Sequence, residues 1–395
     1  MITINELIKD LKGKEVTCKK LGEICSIEKG EQLNKSLLIK DGNNSTYHYP
    51  VYNGGTDPSG YWKNFNVLNN TIIISQGGCS AGYVNWIKEK FWAGAHCFYL
   101  KNSQIDYRYL YFYLKFNQDK LYEMQEGAGI PGLSKQNLYN LDIYFPSLPY
   151  QQQIVKILDD FTELEAELEA ELEARKIQYK FWQNYLLNSS NWTTPNILKI
   201  KLKDLFDYRN GYTPLTSNEL YWKNGTIPWF RMDDIRNFGT ILYDADKHIT
   251  PIAVKGGNYI EPNSIIIATT ATIGVHALIK VKSLCNQQFT IISLKGQYKD
   301  KVNMKFIYYY CYLLDKYCIN NKNSSAFPSV EMTSFQNFIF NIPPLDYQNK
   351  IVSILDQFNN LTTNLQDGIP AEINLRKEQY QYYLHQLLNF NSQSN

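Results

Sequence analysis

The chain has 395 residues, of which 44% are hydrophobic and 20% are charged, and its formal net charge is +2. This length predicts two or three domains of about 100–200 residues, and the composition excludes a disordered or fibrous protein. No apolar run reaches the roughly 18 residues of a membrane span, and the N-terminus has no apolar signal core. We therefore expect a cytoplasmic protein with no membrane contact.

The first predicted domain spans residues 1–145 and is rich in short strands. Ile72–Ser75 is a β-branched run bounded by polar residues, which predicts a strand. Tyr107–Tyr122 is an aromatic segment that predicts a helix. The stretch GAGIPG at 127–132 matches a dinucleotide-binding pattern only in its letters, because a predicted helix, and not a strand, precedes it. We interpret this stretch as a turn.

A long helix is predicted over residues 146–188. Apolar residues recur at three- and four-residue spacing, and the tetrad ELEA occurs three times in succession at 163–174. A helix of roughly 34 residues is about 50 Å long, and one apolar stripe along it requires a partner. The stripe within the tetrads is formed by Leu164, Leu168 and Leu172.

The second predicted domain spans residues 189–342, and a second long helix with a tail follows at 343–395. Ile265–Ala268 and Phe289–Leu294 predict strands, and Met304–Tyr317 predicts an aromatic helix. The second long helix contains Gly368–Ile369–Pro370. Because proline removes a backbone donor and clashes with the preceding turn, we expect the helix to break there and a new segment to open at the proline.

An internal repeat relates the two halves of the chain. FPSLPYQQQIVKILDDF at 145–161 aligns without gaps to IPPLDYQNKIVSILDQF at 342–358, with ten of 17 positions identical. RKIQYKFWQNYLLN at 175–188 aligns similarly to RKEQYQYYLHQLLN at 376–389. The repeat predicts an α+β fold in which two β-rich globular domains are joined by two long antiparallel helices. These helices would form a coiled coil across a pseudo-two-fold axis.

No catalytic or metal-binding constellation is predicted. The five histidines lack the spacing of a zinc site, and the seven cysteines contain no CxxC pair. His96 and Cys97 are neighbours, so their side chains would point to opposite faces of a strand, and we interpret them as core residues and not as a catalytic dyad. We therefore expect no catalytic residue, no metal and no cofactor.

The repeated helix motif resembles that of the specificity (S) subunits of type I restriction-modification systems. The resemblance rests on the two segments at 146–161 and 343–358, the RKxQY sequences at 175–179 and 376–380, the tetrads, and GIPAEI at 368–373. It implies that each globular domain is a target recognition domain for one half of a bipartite site in double-stranded DNA. The helices would set the spacing between the halves and dock the modification (M) subunits.

The same resemblance implies a non-catalytic protein. Two M subunits would carry the methyltransferase chemistry, and restriction (R) subunits would join through them. A coiled-coil scaffold with duplicated protein-binding domains remains the alternative, and selection of a bipartite duplex from a random library would distinguish the two.

Candidate DNA-binding residues are chosen from polar loops, from arginines, which favour guanine, and from lysines placed for phosphates. In the first domain they are Asn53, Gly54, Gln76, Gly77, Gly78, Ser80, Lys88 and Lys90. In the second domain they are Arg209, Arg231, Arg236, Thr269, Thr270, Thr272 and Lys280. Candidate spacer and subunit-docking residues on the helices are Leu164, Leu168, Leu172, Tyr179, Leu361, Leu365 and Tyr380.

Overall fold

The structure is a computed structural model that describes residues 3–43, 45–127, 129, 131–324, 327–364 and 367–390. The chain forms two compact units. Unit 1 contains the chain up to Ala170 together with the residues from Ala371 onward, and unit 2 is Glu171–Pro370. Each long helical segment of the sequence therefore contributes to both units.

Unit 1 contains three small sheets and a layer of helices. Its strands are β1 (Thr17–Lys20), β2 (Ser26–Lys29), β3 (Tyr49–Tyr52), β4 (Gly60–Trp62), β5 (Thr71–Ser75), β6 (Val84–Ile87), β7 (Trp92–Ala93), β8 (Cys97–Lys101) and β9 (Asp142–Phe145). Its helices are α1 (Ile4–Leu11), α2 (Leu21–Ile24), α3 (Tyr107–Phe116), α4 (Gln118–Glu123), α5 (Lys135–Tyr139) and the first part of α6 (Leu148–Leu187).

The sheets of unit 1 enclose two cores. The main sheet is antiparallel, with strand order β2-β8-β5-β6, and a smaller sheet has the order β4-β3-β7. Because side chains alternate along a strand, Ile72 and Ile74 of β5 face the helices while Ile73 faces the core beside the smaller sheet. β1 and β9 form a separate antiparallel pair.

Unit 2 contains the same kinds of element. Its strands are β10 (Leu198–Lys201), β11 (Phe206–Asn210), β12 (Ile227–Phe230), β13 (Ile241–Leu242), β14 (His248–Ile249), β15 (Ile265–Ala268), β16 (His276–Ile279), β17 (Leu284–Cys285), β18 (Phe289–Leu294) and β19 (Ile339–Ile342). Its helices are the rest of α6, then α7 (Leu202–Leu205), α8 (Met232–Phe238), α9 (Met304–Asn320), α10 (Met332–Asn337) and α11 (Leu345–Thr363), and α12 (Ile369–Leu388) begins at its end.

The topology of unit 2 repeats that of unit 1. The main sheet has the order β11-β18-β15-β16-β13, and the first four strands correspond in order and direction to β2-β8-β5-β6. The smaller sheet β14-β12-β17 corresponds to β4-β3-β7, including one parallel pair in each. The predicted α+β fold with two β-rich globular domains is confirmed, and β13 and α8 are additions in unit 2.

Each unit contains its own pair of packed helices. In unit 1, the Phe161 ring of α6 lies near Tyr380 and Tyr383 of α12, and Lys377 contacts Glu169 further along α6, so the two helices run antiparallel. In unit 2, Tyr179 of α6 stacks on Phe358 of α11 with ring centroids 6.2 Å apart.

The predicted break in the second long helix is confirmed. α11 ends at Thr363 and α12 begins at Ile369, with Pro370 as its second residue. Gly368 lies in the break, where an added Cβ would be 2.6 Å from the Asn360 carbonyl oxygen. Only glycine permits this close approach, which explains why glycine precedes the new segment.

A buried glutamine anchors the start of the long helix in each unit. The Gln151 side chain accepts a hydrogen bond from the Asp106 N–H at 2.8 Å, and Gln348 accepts one from the Asn303 N–H at 2.8 Å. Each glutamine Nε2 also donates to the carbonyl of a proline just before its helix, at 2.7 and 2.8 Å. Asp106 and Asn303 are the N-caps of α3 and α9, so the glutamine ties two helix starts together.

An ion pair reinforces each anchor about two turns later along the long helix. Asp159 of α6 pairs with Arg108 of α3 at 2.7 Å, and Asp356 of α11 pairs with Lys305 of α9 at 2.7 Å. The glutamine and the aspartate of the repeated motif therefore have the same structural task in both units.

We predict that Gln151→Leu will loosen unit 1. The Asp106 N–H and a proline carbonyl would lose their buried partner, at a cost of about 2–4 kcal/mol. Hydrogen-exchange mass spectrometry should show faster exchange in α3 and at the start of α6. Gln152→Leu, at the neighbouring exposed position, is the control and should change exchange little. Equal exchange in the two variants would contradict the anchoring role.

Candidate nucleic-acid interface

Four loops of unit 1 are joined by backbone hydrogen bonds where β5 ends and β8 begins. We call these loops, at 52–54, 75–82, 94–97 and 131–133, the loop frame of unit 1. The bonds run from Gln76 N to His96 O (2.8 Å), from Leu133 N to Gln76 O (2.7 Å), from Gly78 N to Pro131 O (2.9 Å) and from Gly94 N to Tyr52 O (2.7 Å). These four bonds use only backbone groups, so different side chains can stand at the positions that form them.

Unit 2 has the same loop frame, formed by loops 230–232, 268–274, 286–289 and 328–330. Its bonds run from Thr269 N to Gln288 O (3.0 Å), from Val330 N to Thr269 O (2.9 Å), from Ala271 N to Pro328 O (2.9 Å) and from Asn286 N to Phe230 O (3.0 Å). Position by position, Gln76 corresponds to Thr269, His96 to Gln288, and Asn53 to Arg231.

A left-handed backbone position occurs at the same place in both frames. Gly78 has a φ of +79° and the equivalent Ala271 has a φ of +63°. An L-residue with a Cβ pays roughly 1–2 kcal/mol for this conformation, so the turn is held in unit 2 against an intrinsic cost. The turn therefore belongs to the frame and is not merely a consequence of glycine.

A buried cysteine side chain is hydrogen-bonded to the backbone of the frame in unit 1. The Cys97 sulfur accepts a hydrogen bond from the Gly54 N–H at 3.1 Å, and the thiol donates to the Tyr52 carbonyl at 3.4 Å. Burial raises the pKa of the Cys97 thiol to about 12, so the thiol keeps its proton at neutral pH. Cys97 is a core residue, as the sequence predicts, whereas its neighbour His96 is exposed and not in the core.

The structure brings together the loop candidates of each domain. Asn53, Gly54, Gln76, Gly77 and Gly78 all lie in the frame of unit 1. Thr269 and Thr270 lie in the frame of unit 2, and the backbone of Thr270 bridges to that of Ser329 as Gly77 bridges to Gly132. Ser80 and Thr272 lie further along the same two loops, half-buried and exposed respectively.

Arg231 lies in the frame of unit 2 but is held by carboxylates. Its guanidinium lies 3.4 Å from Asp233, 3.9 Å from Asp246 and 4.0 Å from Asp234, and its side chain is 22% exposed. Arg236, one helical turn further along α8, pairs with Asp233 alone among the described residues and is 64% exposed. Of these two arginines, Arg236 is the one whose donors remain largely open to solvent.

The other basic candidates are held by their own neighbours or lie at the far ends of strands. Arg209 lies opposite Ile291 in β18, close to the frame of unit 2. Arg209 donates to the carbonyls of Asn258 and Tyr259, both at 2.9 Å. Lys88 and Lys280 follow β6 and β16, beside the starts of β5 and β15, so they lie at the opposite ends of those strands from the frames.

Two of these lysines have close partners of their own. Lys280 donates to Asn263 at 2.9 Å, and burial together with Lys305 lowers the pKa of Lys280. Lys90 lies over the Phe65 ring, 4.7 Å from its centroid.

Most side chains of the spacer candidates are at least half-buried within their own units. Tyr179 and Tyr380 are half-buried in the cores of units 2 and 1, and burial raises the pKa of both phenols. Leu164, Leu168 and Leu172 are half-buried along α6, Leu361 is 38% exposed, and Leu365 lies outside the described residues.

Sequence patterns missed the aromatic side chains that remain exposed on the long helices. Phe181 of α6 is 60% exposed and Tyr382 of α12 is 59% exposed. These two residues occupy equivalent positions of the repeat, so the alignment of 175–188 with 376–389 could have identified them.

A metal site and a membrane-spanning helix are both absent from the described part of the chain. There, no three or more His, Cys, Asp or Glu side chains are grouped to hold a metal ion. No helix among these residues is both long and apolar enough to cross a membrane.

Residues 13–174 and 196–375 match the family described as Type I restriction modification DNA specificity domain. The chain belongs to this family. The resemblance of the helix motifs is thereby confirmed, and the alternative of an unrelated scaffold with duplicated protein-binding domains is not favoured.

The chain is similar to individual specificity subunits, and the length of the similar region differs between them. The chain is 46% identical over 198 residues to the EcoprrI specificity subunit of Escherichia coli, a match that covers 48% of this chain and 49% of that one. It is 29% identical to the Escherichia coli EcoR124I/EcoR124II specificity subunit, with 99% and 98% of the two chains covered. The S subunit structure from M. genitalium has a TM-score of 0.59 at 20% identity, covering 95% and 96%, which shows a shared fold.

We predict different consequences for the two arginines of this specificity-family chain near the second loop frame. Arg231→Ala leaves three carboxylates without their shared cation and should destabilise unit 2 by about 1–3 kcal/mol. Arg236→Ala removes one exposed pair and should cost less than about 1 kcal/mol. Urea unfolding of the two variants checks this. Equal losses would contradict the assignment of Arg231 to the carboxylate cluster.

Proposed function

We propose that this chain is the DNA sequence-recognition subunit of a type I restriction-modification complex. Each unit would recognise one half of a bipartite site in double-stranded DNA. The observation that carries the proposal is the loop frame, which occurs twice with the same backbone hydrogen bonds and different side chains. A duplicated backbone frame with changed side chains is what recognition of two different half-sequences requires.

The chemistry of the frame positions supports DNA as the ligand. Base edges in the major groove present donors and acceptors that Asn, Gln, Arg and Thr side chains can match. These residue types occur at the frame positions Asn53, Gln76 and Thr270, and Arg236 lies near the frame of unit 2 with its donors largely open to solvent. Sequence is recognised by such side chains, whereas backbone phosphates are contacted by cations that carry no sequence information.

Membership of the family supports a proposal for the partners. We propose that the chain supplies no catalytic group and binds no cofactor, and that two M subunits carry out methylation, with R subunits joining through them. The exposed aromatic side chains at Phe181 and Tyr382 support docking of the M subunits on the helices, because exposed aromatics are typical of protein interfaces.

We also propose that the ELEA tetrads set the gap between the two half-sequences. The continuous helix α6 passes from unit 1 to unit 2 within the tetrads, where Ala170 is followed by Glu171. Lys377 contacts Glu165 at 3.2 Å and Glu169 at 3.0 Å, so one lysine bridges equivalent positions of two successive tetrads.

Deleting Glu167–Ala170 should therefore shorten the gap and leave both half-sequences unchanged. The deletion shortens α6 by about 6 Å. It also places Glu173 where Glu169 was, so the contact with Lys377 is restored. Methylome sequencing of a strain with the matching M subunits measures the gap directly.

A three-residue deletion, Glu167–Glu169, is the matched control. It removes a similar length but turns the following leucines away from the stripe, because three residues are less than one helical turn of about 3.6 residues. It should abolish methylation. A four-residue deletion that leaves the gap unchanged, or changes a half-sequence, would contradict the spacer proposal.

The salt dependence of DNA binding should show which end of the main sheet of unit 2 contacts the DNA. Arg236→Gln removes an exposed cation near the frame and should lower the slope of log K against log salt by about 0.9. Lys280→Gln removes a cation at the other end of the strand and should leave the slope unchanged. The assembled complex is titrated with its duplex target. A changed slope for Lys280→Gln alone would place the DNA at the opposite end.

A further inference from the structure

We propose that position 96 of unit 1 and position 288 of unit 2 are equivalent base-recognition positions, exchangeable between the two frames, and that the His96 imidazole contacts a base in its half-sequence. This inference rests on the proposed function and assigns a residue that sequence patterns placed in the core. The argument depends on how the frame occupies the backbone groups of this position and leaves polar side-chain atoms available: the whole imidazole of His96 and the NH2 group of Gln288.

Both backbone groups of His96 are used by the frame. Its N–H donates to the Asn53 side-chain oxygen at 3.2 Å, and its carbonyl accepts from the Gln76 N–H at 2.8 Å. The residue itself is exposed, and within the described residues its imidazole makes no hydrogen bond. A neutral imidazole offers one donor and one acceptor, so it can bond to a base edge without a change in the backbone.

The backbone of Gln288 is held in the same way. The Gln288 side-chain oxygen also accepts a hydrogen bond from Asn286 Nδ2 at 3.0 Å, whereas its side-chain NH2 group makes no hydrogen bond within the described residues. Its carbonyl accepts from the Thr269 N–H at 3.0 Å, and its N–H donates to the Asn286 side-chain oxygen at 3.1 Å. The asparagine that satisfies this N–H comes from one loop in unit 1 and from another loop in unit 2. The hydrogen bond to this backbone N–H is therefore present in both units, although the asparagine that accepts it stands at a different position of the frame.

The exchange of asparagines has a steric reason. Gly94 of unit 1 corresponds to Asn286 of unit 2, and a Cβ on Gly94 would lie 2.4 Å from the Asn53 side-chain oxygen. An asparagine at position 53 and a side chain at position 94 therefore exclude each other. In unit 2 the asparagine is Asn286, at the position equivalent to Gly94. The position equivalent to Asn53 is then free for a different residue, Arg231.

This compensation shows what the frame preserves and what it lets vary. It preserves the hydrogen bonds that fix the backbone at positions 96 and 288, and it lets the side chains at those positions differ in chemistry. Glutamine pairs well with adenine, whereas an imidazole offers a single donor and acceptor, so the two units would favour different bases. Rigid support beneath a variable polar side chain is what a specificity-determining position needs.

Reciprocal exchange tests the inference. His96→Gln introduces the residue that the other frame already holds, and Gln288→His does the reverse. Each variant is expressed with the M subunits of its own system, and methylated sites are sequenced. His96→Gln should change the preference at one base position of one half-sequence by roughly 5- to 100-fold, and Gln288→His should do so in the other half. The gap should stay constant.

His48→Gln is the matched control, since this exposed histidine precedes β3 at the end remote from the frame and should leave the site unchanged. Unchanged half-sequences in both exchange variants would overturn the inference. A global loss of methylation, or a lower thermal unfolding midpoint, would also overturn it, because exchangeability requires the frame to accept either residue. If the unaltered chain directs methylation to no bipartite site, the proposed function fails instead.

Discussion

The buried glutamine amide at the start of each long helix is the interaction on which the two units depend. It satisfies the N-cap N–H of an aromatic helix and the carbonyl of a proline that ends a strand, so three elements meet at one side chain. A buried amide without these partners would cost more than it contributes, so the three elements must keep their mutual geometry. The main sheet packs on the same aromatic helix, and the loop frame lies at the ends of its strands.

The elements with a strong local pattern could be predicted from the sequence. The continuous helix α6, the break before α12 and strands such as β5 and β15 depend on apolar spacing, proline and β-branched runs, which act within a few residues. Small strands such as β7 and β17 gave no such signal, because two residues carry no period. The helix predicted over Tyr107–Tyr122 is divided at Asn117, where a capping residue interrupts an otherwise helical pattern.

Several of the candidate residues that the structure groups together directly follow predicted strands. Gln76 follows the strand predicted at 72–75 and Thr269 follows the strand predicted at 265–268, and the frames place these two residues at equivalent positions. Lys88 and Lys280 were chosen as lysines placed for phosphates, and the structure places them at the other ends of the same strands. His96 was assigned to the core by strand alternation, but it precedes β8 and lies outside the strand. The backbone hydrogen bonds that define the frame do not require particular residue types, so a sequence pattern could not predict them.

The division of the chain also has a consequence for its biosynthesis. Unit 2 is one continuous stretch, whereas the core of unit 1 contains Leu7 and Leu158 together with Leu387 and Phe390 from the far end of the chain. Domains generally fold as units, in the order in which the ribosome releases them. Here the first domain to leave the ribosome must wait for the last helix to be translated, and until then it exposes the apolar surface that this helix covers. The nascent chain would therefore complete its second domain before its first.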